Sequence, residues 1–259
     1  MPRAYRLEVP ANYNRNVAAP LVFNFHGYPA NAAFQSAYSS LPKEGHERGL
    51  IVVTPDAVAN NWQVPSQAQG TADVVFVKDL LAQVEAAYCV DVNRVFAAGY
   101  SRGAEMATAV ACDLPGMFGA IALVALEYRP AQCDPIPVLA FHGTKDANVH
   151  YQPGPGIIGD GAGVKVAELP GTTDNMANWA ELDQCTADPA VEKLGADVVH
   201  RTYPGCVGDT DVELYTIVGG GHTWPGTNLD YPQLGVSTDT IDANDIIVRF
   251  LLDHPLRPT

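Results

Sequence analysis

Gly99-Tyr100-Ser101-Arg102-Gly103 stands between two stretches of different periodicity, and that setting constrains the chain more than any other feature. Before it lies the β-branched and apolar run Arg94-Val95-Phe96-Ala97-Ala98. After it comes the small-residue helix former Ala104-Glu105-Met106-Ala107-Thr108-Ala109-Val110-Ala111. Glycine on each side of the serine lets a strand and a helix approach around a sharp turn that has no room for side chains. The pattern G-x-S-x-G is weak by itself, but between strand and helix it thrusts the serine outward as a nucleophile. Ser101 is therefore the first candidate catalytic residue, and the chemistry implied is ester cleavage through a covalent intermediate.

Short continuous apolar runs alternate with helical patterns along the rest of the chain. Strands are expected at 7–9, 20–25, 50–54, 94–98, 119–124, 136–141 and 212–217, and helices at 72–84, from 104 toward Cys112, at 174–182 and at 242–252. Buried strands alternating with helices predict an α/β fold, a mainly parallel sheet covered by helices on both faces. In such a sheet the reactive groups belong on loops beyond the carboxyl ends of the strands. The Gly- and Pro-rich stretch 151–163 is the longest interval without an expected element and reads as a loop bordering a substrate cleft or as a surface excursion.

The 259 residues fit a single domain, 1–259, and 47% hydrophobic content supplies its core. The formal charge of -14 repels polyphosphates and anionic bilayers, so nucleic acid is not an expected partner. No apolar run reaches 18 residues, so membrane insertion is not expected, and Met1-Pro2-Arg3-Ala4-Tyr5-Arg6 is too polar for the core of an export signal. Cys89, Cys112, Cys133, Cys185 and Cys206 lack the close spacing of a structural zinc site. Several disulfide pairings are possible. The most economical are Cys112 with Cys133 and Cys185 with Cys206, each closing a short segment, and their oxidation implies an extracytoplasmic compartment.

A serine hydroxyl needs a neighbouring imidazole to take its proton, and that imidazole needs a carboxylate to fix its tautomer. His222, in Val218-Gly219-Gly220-Gly221-His222-Thr223-Trp224-Pro225-Gly226 after a strand, fits the base best. His142, ending an apolar strand, reads as a hydrogen-bonded structural histidine, and His46, His200 and His254 read as solvated. Asp146, in Phe141-His142-Gly143-Thr144-Lys145-Asp146, gives the chain order Ser, Asp, His. Asp160, Asp174, Asp209 and Asp211 compete for that role, with solvated or capping functions expected instead. The oxyanion donors expected are the backbone N–H groups of Arg102 and of Tyr28, the latter in Phe25-His26-Gly27-Tyr28, with His26 ordering the loop. Trp62 and Trp224 are the aromatic candidates for substrate contact, core packing being the alternative for each. No metal or organic cofactor is required.

Taken with Asn61-Trp62, Asp73 through Val77, Tyr88-Cys89-Val90-Asp91 and the Gly220 to Gly226 segment, these motifs give the chain a resemblance that covers nearly its whole length. It resembles the polyhydroxybutyrate depolymerase and feruloyl esterase-like α/β-hydrolases of the LpqC type. The resemblance implies an α/β-hydrolase fold, Ser101 as nucleophile, Asp146 as acid, His222 as base, and the Tyr28 and Arg102 amides as oxyanion donors. It also implies export and hydrolysis of feruloyl, acetyl-sugar or polyester ester bonds, so small-molecule, polysaccharide-linked and polyester substrates are the partners to consider. Feruloyl ester hydrolysis leads, and a ligand-binding protein on the same scaffold is the reading outside enzymes. One departure is informative. The usual elbow in this group looks like G-x-S-N-G-G, whereas Arg102 and Ala104 stand here, and the Arg102 guanidinium is free to organise carboxylates, meet a polar substrate or make a surface ion pair.

Overall fold

The nearly continuous apolar runs become the centre of a nine-stranded sheet, because only a strand covered on both faces can use them. The computed structural model describes residues 3–64, 70–159 and 164–256. In chain order its elements are β1 (Tyr5–Glu8), β2 (Ala19–Phe25), α1 (Ala32–Ser39), α2 (Leu41–Arg48), β3 (Ile51–Pro55), α3 (Ala72–Ala87), β4 (Val90–Tyr100) and α4 (Arg102–Asp113). There follow β5 (Ile121–Val124), β6 (Val138–Gly143), β7 (Gly154–Gly159), β8 (Val164–Leu169), α5 (Thr172–Leu182), β9 (Ala190–Leu194), β10 (Val198–Tyr203), β11 (Val212–Ile217) and α6 (Ala243–Asp253).

The sheet order is β1-β3-β2-β4-β5-β6-β11-β10-β9. All neighbours from β3 through β11 pair parallel, while β1 closes one edge antiparallel and β10 and β9 extend the other antiparallel. Strand alternation sorts the core into two layers. Leu21, Phe23 and Phe25 pack with α3, α4 and α5, whereas Val22 packs on the opposite side with α1, α2 and α6. The chain is thus a single α/β-hydrolase domain with a mixed, mainly parallel sheet between helical layers, as the alternation of runs predicts.

The fold departs from the expected pattern in the 151–163 stretch, at its antiparallel edge and in two helices. The stretch 151–163 is not a loop throughout, because Gly154–Gly159 pairs antiparallel with Val164–Leu169 in a separate hairpin. Residues 160–163 of that stretch lie outside the described residues, and Asp160 with them. The antiparallel strands β9 and β10, and the helices α1 and α2, had no counterpart in the sequence reading. At the β9 edge Ala190, Val191, Glu192 and Lys193 are all exposed, so no buried face imposes a pattern.

The two expected cysteine pairs are both present, Cys112 with Cys133 and Cys185 with Cys206, and Cys89 is free. No helix among the described residues is long and apolar enough to cross a membrane.

Candidate active site

Ser101 sits where β4 ends and α4 begins, with φ 54° and ψ -121°, a left-handed conformation that costs an ordinary residue energy and is kept only where the surroundings enforce it. Its surroundings do so. The Ser101 N–H donates to Val124 O of the neighbouring strand at 2.8 Å, and its carbonyl accepts from Ala104 N at 2.8 Å. A Cβ on Gly99 would lie 2.0 Å from Gly103 O, and one on Gly103 would lie 2.1 Å from Phe25 O, so both flanking positions exclude any side chain. The Ser101 side chain is left half-buried at the head of a 12-residue helix, whose first N–H groups have no intrahelical acceptor. The Arg102 amide is the first of these.

The loop after β2 reaches the same place, since a Cβ on Gly27 would come within 3.2 Å of Ser101 Cβ. His26 orders that loop, as expected. It is fully buried, its Nε2 accepts from Ala57 N at 3.0 Å and its Nδ1 lies 2.9 Å from Gly27 O. A ring that accepts at Nε2 must carry its proton on Nδ1, so the two bonds fix one tautomer. Burial lowers its proton affinity, which keeps the ring neutral.

His222 and Asp146 come from separate turns that are laced together. Lys145 N donates to Gly220 O at 2.7 Å, Thr144 N to Ile217 O at 2.9 Å, and Gly219 N to Thr144 Oγ1 at 2.8 Å. Gly143 is required at this crossing, where a Cβ would stand 2.3 Å from both Gly220 O and Gly221 O. The result is a 2.6 Å hydrogen bond from His222 Nδ1 to Asp146 Oδ2 between side chains 6% and 0% exposed. The His222 backbone is pinned from elsewhere too, its N–H donating to Leu234 O at 2.7 Å and its carbonyl accepting from the Tyr100 hydroxyl at 2.6 Å. Tyr100 precedes Ser101 in the chain, so this bond ties the histidine loop directly to the serine turn.

Asp146 is saturated with donors. Its Oδ1 accepts from Asn148 N at 2.8 Å and Val149 N at 2.9 Å, while Oδ2 faces His222 Nδ1 and, at 3.2 Å, His142 Nε2. Burial pushes its carboxyl upward, but the bonds from His142, His222 and the backbone outweigh it and hold the group well below the ordinary carboxylate range. It is a carboxylate at neutral pH.

The other histidines and aspartates divide as follows. His142 is fully buried and fully bonded, as its position at a strand end implies. His200 and His254 are less solvated than expected, because each pairs with a carboxylate, Glu213 and Asp211 respectively, and each is mostly covered. His46 is exposed. Asp174 accepts from Gly171 N at the start of α5, a capping role, and Asp211 serves His254.

The tryptophans are a correction. Trp62 is 1% exposed and Trp224 0%, with their Nε1–H groups spent on His26 O at 2.9 Å and Asn244 Oδ1 at 3.1 Å. Both are core residues that brace loops, since rings with essentially no exposed surface have no face to offer a substrate. Arg102 uses its guanidinium on Glu105, at 2.6 Å, and on Trp62 O, at 3.2 Å, so its side chain is committed to an ion pair and a loop carbonyl.

Residues 2–195 match the esterase family described as "Putative esterase", a span that includes Ser101 and Asp146 and ends before His222. The chain is 29% identical to feruloyl esterase B of Piromyces equi over 83% of its own length and 42% of that protein's. It is likewise 29% identical to the putative esterase NocK of Nocardia uniformis subsp. tsuyamanensis, over 96% of this chain and 79% of that one. The chain thus spans less than half of the fungal relative. Among solved structures, the acetyl xylan esterase from Aspergillus awamori superposes with a TM-score of 0.63 over 85% of this chain and 88% of that chain at 15% identity, a likeness of fold. The family match covers well over half of the sequence and agrees with the fold and the serine turn, so the chain belongs to this esterase family and carries the α/β-hydrolase fold, with similarity to a fungal feruloyl esterase.

Proposed function

We propose that this chain hydrolyses carboxylic esters, aromatic feruloyl-type esters foremost, by acyl transfer to Ser101. The observation that carries the reading is the His222 to Asp146 bond of 2.6 Å on loops tied to the strained serine turn. His222 Nδ1–H donates to Asp146, so Nε2 is the nitrogen free to act as base. Ser101 Oγ attacks the ester carbonyl carbon while Nε2 takes the hydroxyl proton, and the carbonyl π pair moves to oxygen. The Tyr28 and Arg102 amides hold that oxyanion, helped by the positive end of α4. Collapse expels the alkoxide, which takes the proton from His222. Water, deprotonated by the same nitrogen, then attacks the acyl carbonyl and releases the acid and the Ser101 hydroxyl.

With both tryptophans in the core, the aromatic surface passes to two tyrosines. Tyr28 is 62% exposed and Tyr128 39%, and they follow β2 and β5, the two strands that flank β4. Exposed aromatic faces on either side of the serine suit a planar aromatic acyl group. The kinship with the Piromyces feruloyl esterase supports the same class, and the two disulfides support an extracytoplasmic location.

Steady-state assays test the reading. S101A should abolish turnover of methyl ferulate and labelling by a fluorescent phosphonate, and retained turnover would refute the mechanism. Methyl ferulate should be preferred over acetylated xylan and soluble hydroxybutyrate oligomers, and the opposite order would move the substrate class. Y28A and Y128A should each raise KM for methyl ferulate about three- to tenfold and leave that for p-nitrophenyl acetate within twofold.

A further inference from the structure

Asp146 is gripped from two sides, and the second side is a histidine that the acyl-transfer chemistry does not use. His142 lies in β6, where alternation turns it toward α5, and its ring is bracketed by oxygen atoms. Nδ1 is 2.7 Å from Glu127 Oε2 and 3.0 Å from Thr172 Oγ1. Nε2 is 3.2 Å from Asp146 Oδ2 and 3.0 Å from Val149 O. Two of these partners are carboxylates and one is a carbonyl, groups that only accept, and the threonine hydroxyl can accept as well. A neutral imidazole has one N–H, so it would turn a bare lone pair toward a carboxylate at one nitrogen or the other. An imidazolium has two and satisfies both.

Burial makes this choice compelling. The side chains of His142, Glu127 and Asp146 are 0%, 2% and 0% exposed, and two carboxylates in so dry a place need a cation between them. Glu127 is itself fixed by the loop and by α5. Its second oxygen accepts from Asn175 Nδ2 at 3.3 Å, and its backbone carbonyl accepts from Trp179 Nε1 at 2.9 Å. The Tyr151 ring closes the remaining side of His142, edge-on at 5.8 Å. His222, at the far end of the row, is faced by Asp146 and by the Tyr100 ring at 5.0 Å.

We propose that Glu127 and His142 are a positioning pair for the triad, in which Glu127 keeps His142 doubly protonated and the His142 cation holds Asp146 in place while tempering its pull on His222. The proposal rests on the triad reading given above. In the resting enzyme the row Glu127, His142, Asp146, His222 carries charges of minus, plus, minus and zero. When His222 takes the Ser101 proton the row alternates in sign along its whole length. The His142 charge competes with His222 for Asp146, so His222 can return its proton to the leaving alkoxide instead of being locked as a cation. Burial disfavours a charged His142, but the Glu127 and Asp146 carboxylates reverse this and hold its proton affinity well above that of free imidazole.

The experiment has two readouts. In wild-type enzyme labelled with nitrogen-15 histidine, the ring nitrogens of His142, assigned by their loss in H142Q, should both carry protons at pH 8. A bare nitrogen overturns the proposal. H142Q and E127Q are then assayed on a p-nitrophenyl ester with rates normalised to active sites titrated by a phosphonate. H142Q should lose at least about tenfold in kcat with KM within twofold, and the acidic limb of kcat/KM should move up by about one pH unit. E127Q, which is isosteric, should show a smaller loss and a His142 ring that titrates between about pH 6 and 9. A purely structural pair would lower the number of titrated sites and leave the limb where it was, and that result refutes the assignment. If H142Q does not fold, E127Q and the wild-type spectrum decide. Failure of the phosphonate to label wild-type Ser101 would instead remove the triad reading itself, so the two failures are distinguishable.

Discussion

Asp146 and Asp183 are both withdrawn from water, at 5% and 0% exposure, yet their surroundings drive them in opposite directions. Asp146 meets two histidines and two backbone amides, which hold its carboxyl well below the usual range. Asp183 caps the end of α5, where its Oδ1 accepts from Ile136 N at 3.2 Å and its Oδ2 has no partner among the described residues. Burial pushes the Asp183 carboxyl up to about 7, and its position at the negative end of a helix dipole works in the same direction. Burial is common to both. What separates them is how many donors oppose burial, two histidines and two amides at one site against the Thr210 side chain and the Ile136 amide at the other, and the site rich in donors is the one that can keep a working charge.

The largest expected break between them is catalytic. D146N should lower kcat on a p-nitrophenyl ester about ten-thousandfold, because the amide can hold His222 in the wrong tautomer, while D183N keeps wild-type kcat. Equal losses would mean that the comparison reports general stability and not chemistry. Next comes the crossing that brings Asp146 to His222. G143A forces a methyl group against two carbonyl oxygens and should cost about 1–3 kcal/mol in urea unfolding, together with a fall in kcat per titrated site. Unchanged stability would show that the turns can separate without harm.

The smallest effect concerns pH. The Asp183 carboxyl has a folded pKa raised above its unfolded value near 3.8, so the folded state binds the extra proton and stability drains as pH rises from about 4 through 7. D183N should therefore melt about 2–4 °C above wild type at pH 8, with the gap closing toward pH 5. The sign for Asp146 is the reverse. Its depressed folded pKa contributes stability at and above about pH 4 that is lost as pH falls below it. A D183N gain that grew toward pH 5 would contradict the assignment of its charge.

The parts of the site legible in the sequence are those set by local geometry. The serine turn needs two close glycines between a strand and a helix, and both requirements are written within Arg94 to Ala111. Asp146 and His222 were legible because each follows an apolar strand, and strand ends converge at one edge of a parallel sheet. Trp62 and Trp224 were not, since a tryptophan in a loop reads the same whether its ring faces a cleft or the core. Glu127 left a faint signal, one acidic residue soon after the buried run Ile121–Val124, but nothing local joins it to His142.

From the sequence alone came the layer order, the glycine-flanked turn at Ser101 and the chain order Ser101, Asp146, His222, because the pattern of buried faces and the sterics of a glycine turn act over a few residues. Tertiary structure decided which carboxylates keep their charge, which aromatic rings reach solvent, and that His142 stands between Glu127 and Asp146. Those depend on strand register and on how loops distant in the chain fill one dry space, where a hydrogen bond or its absence outweighs the intrinsic chemistry of the side chain.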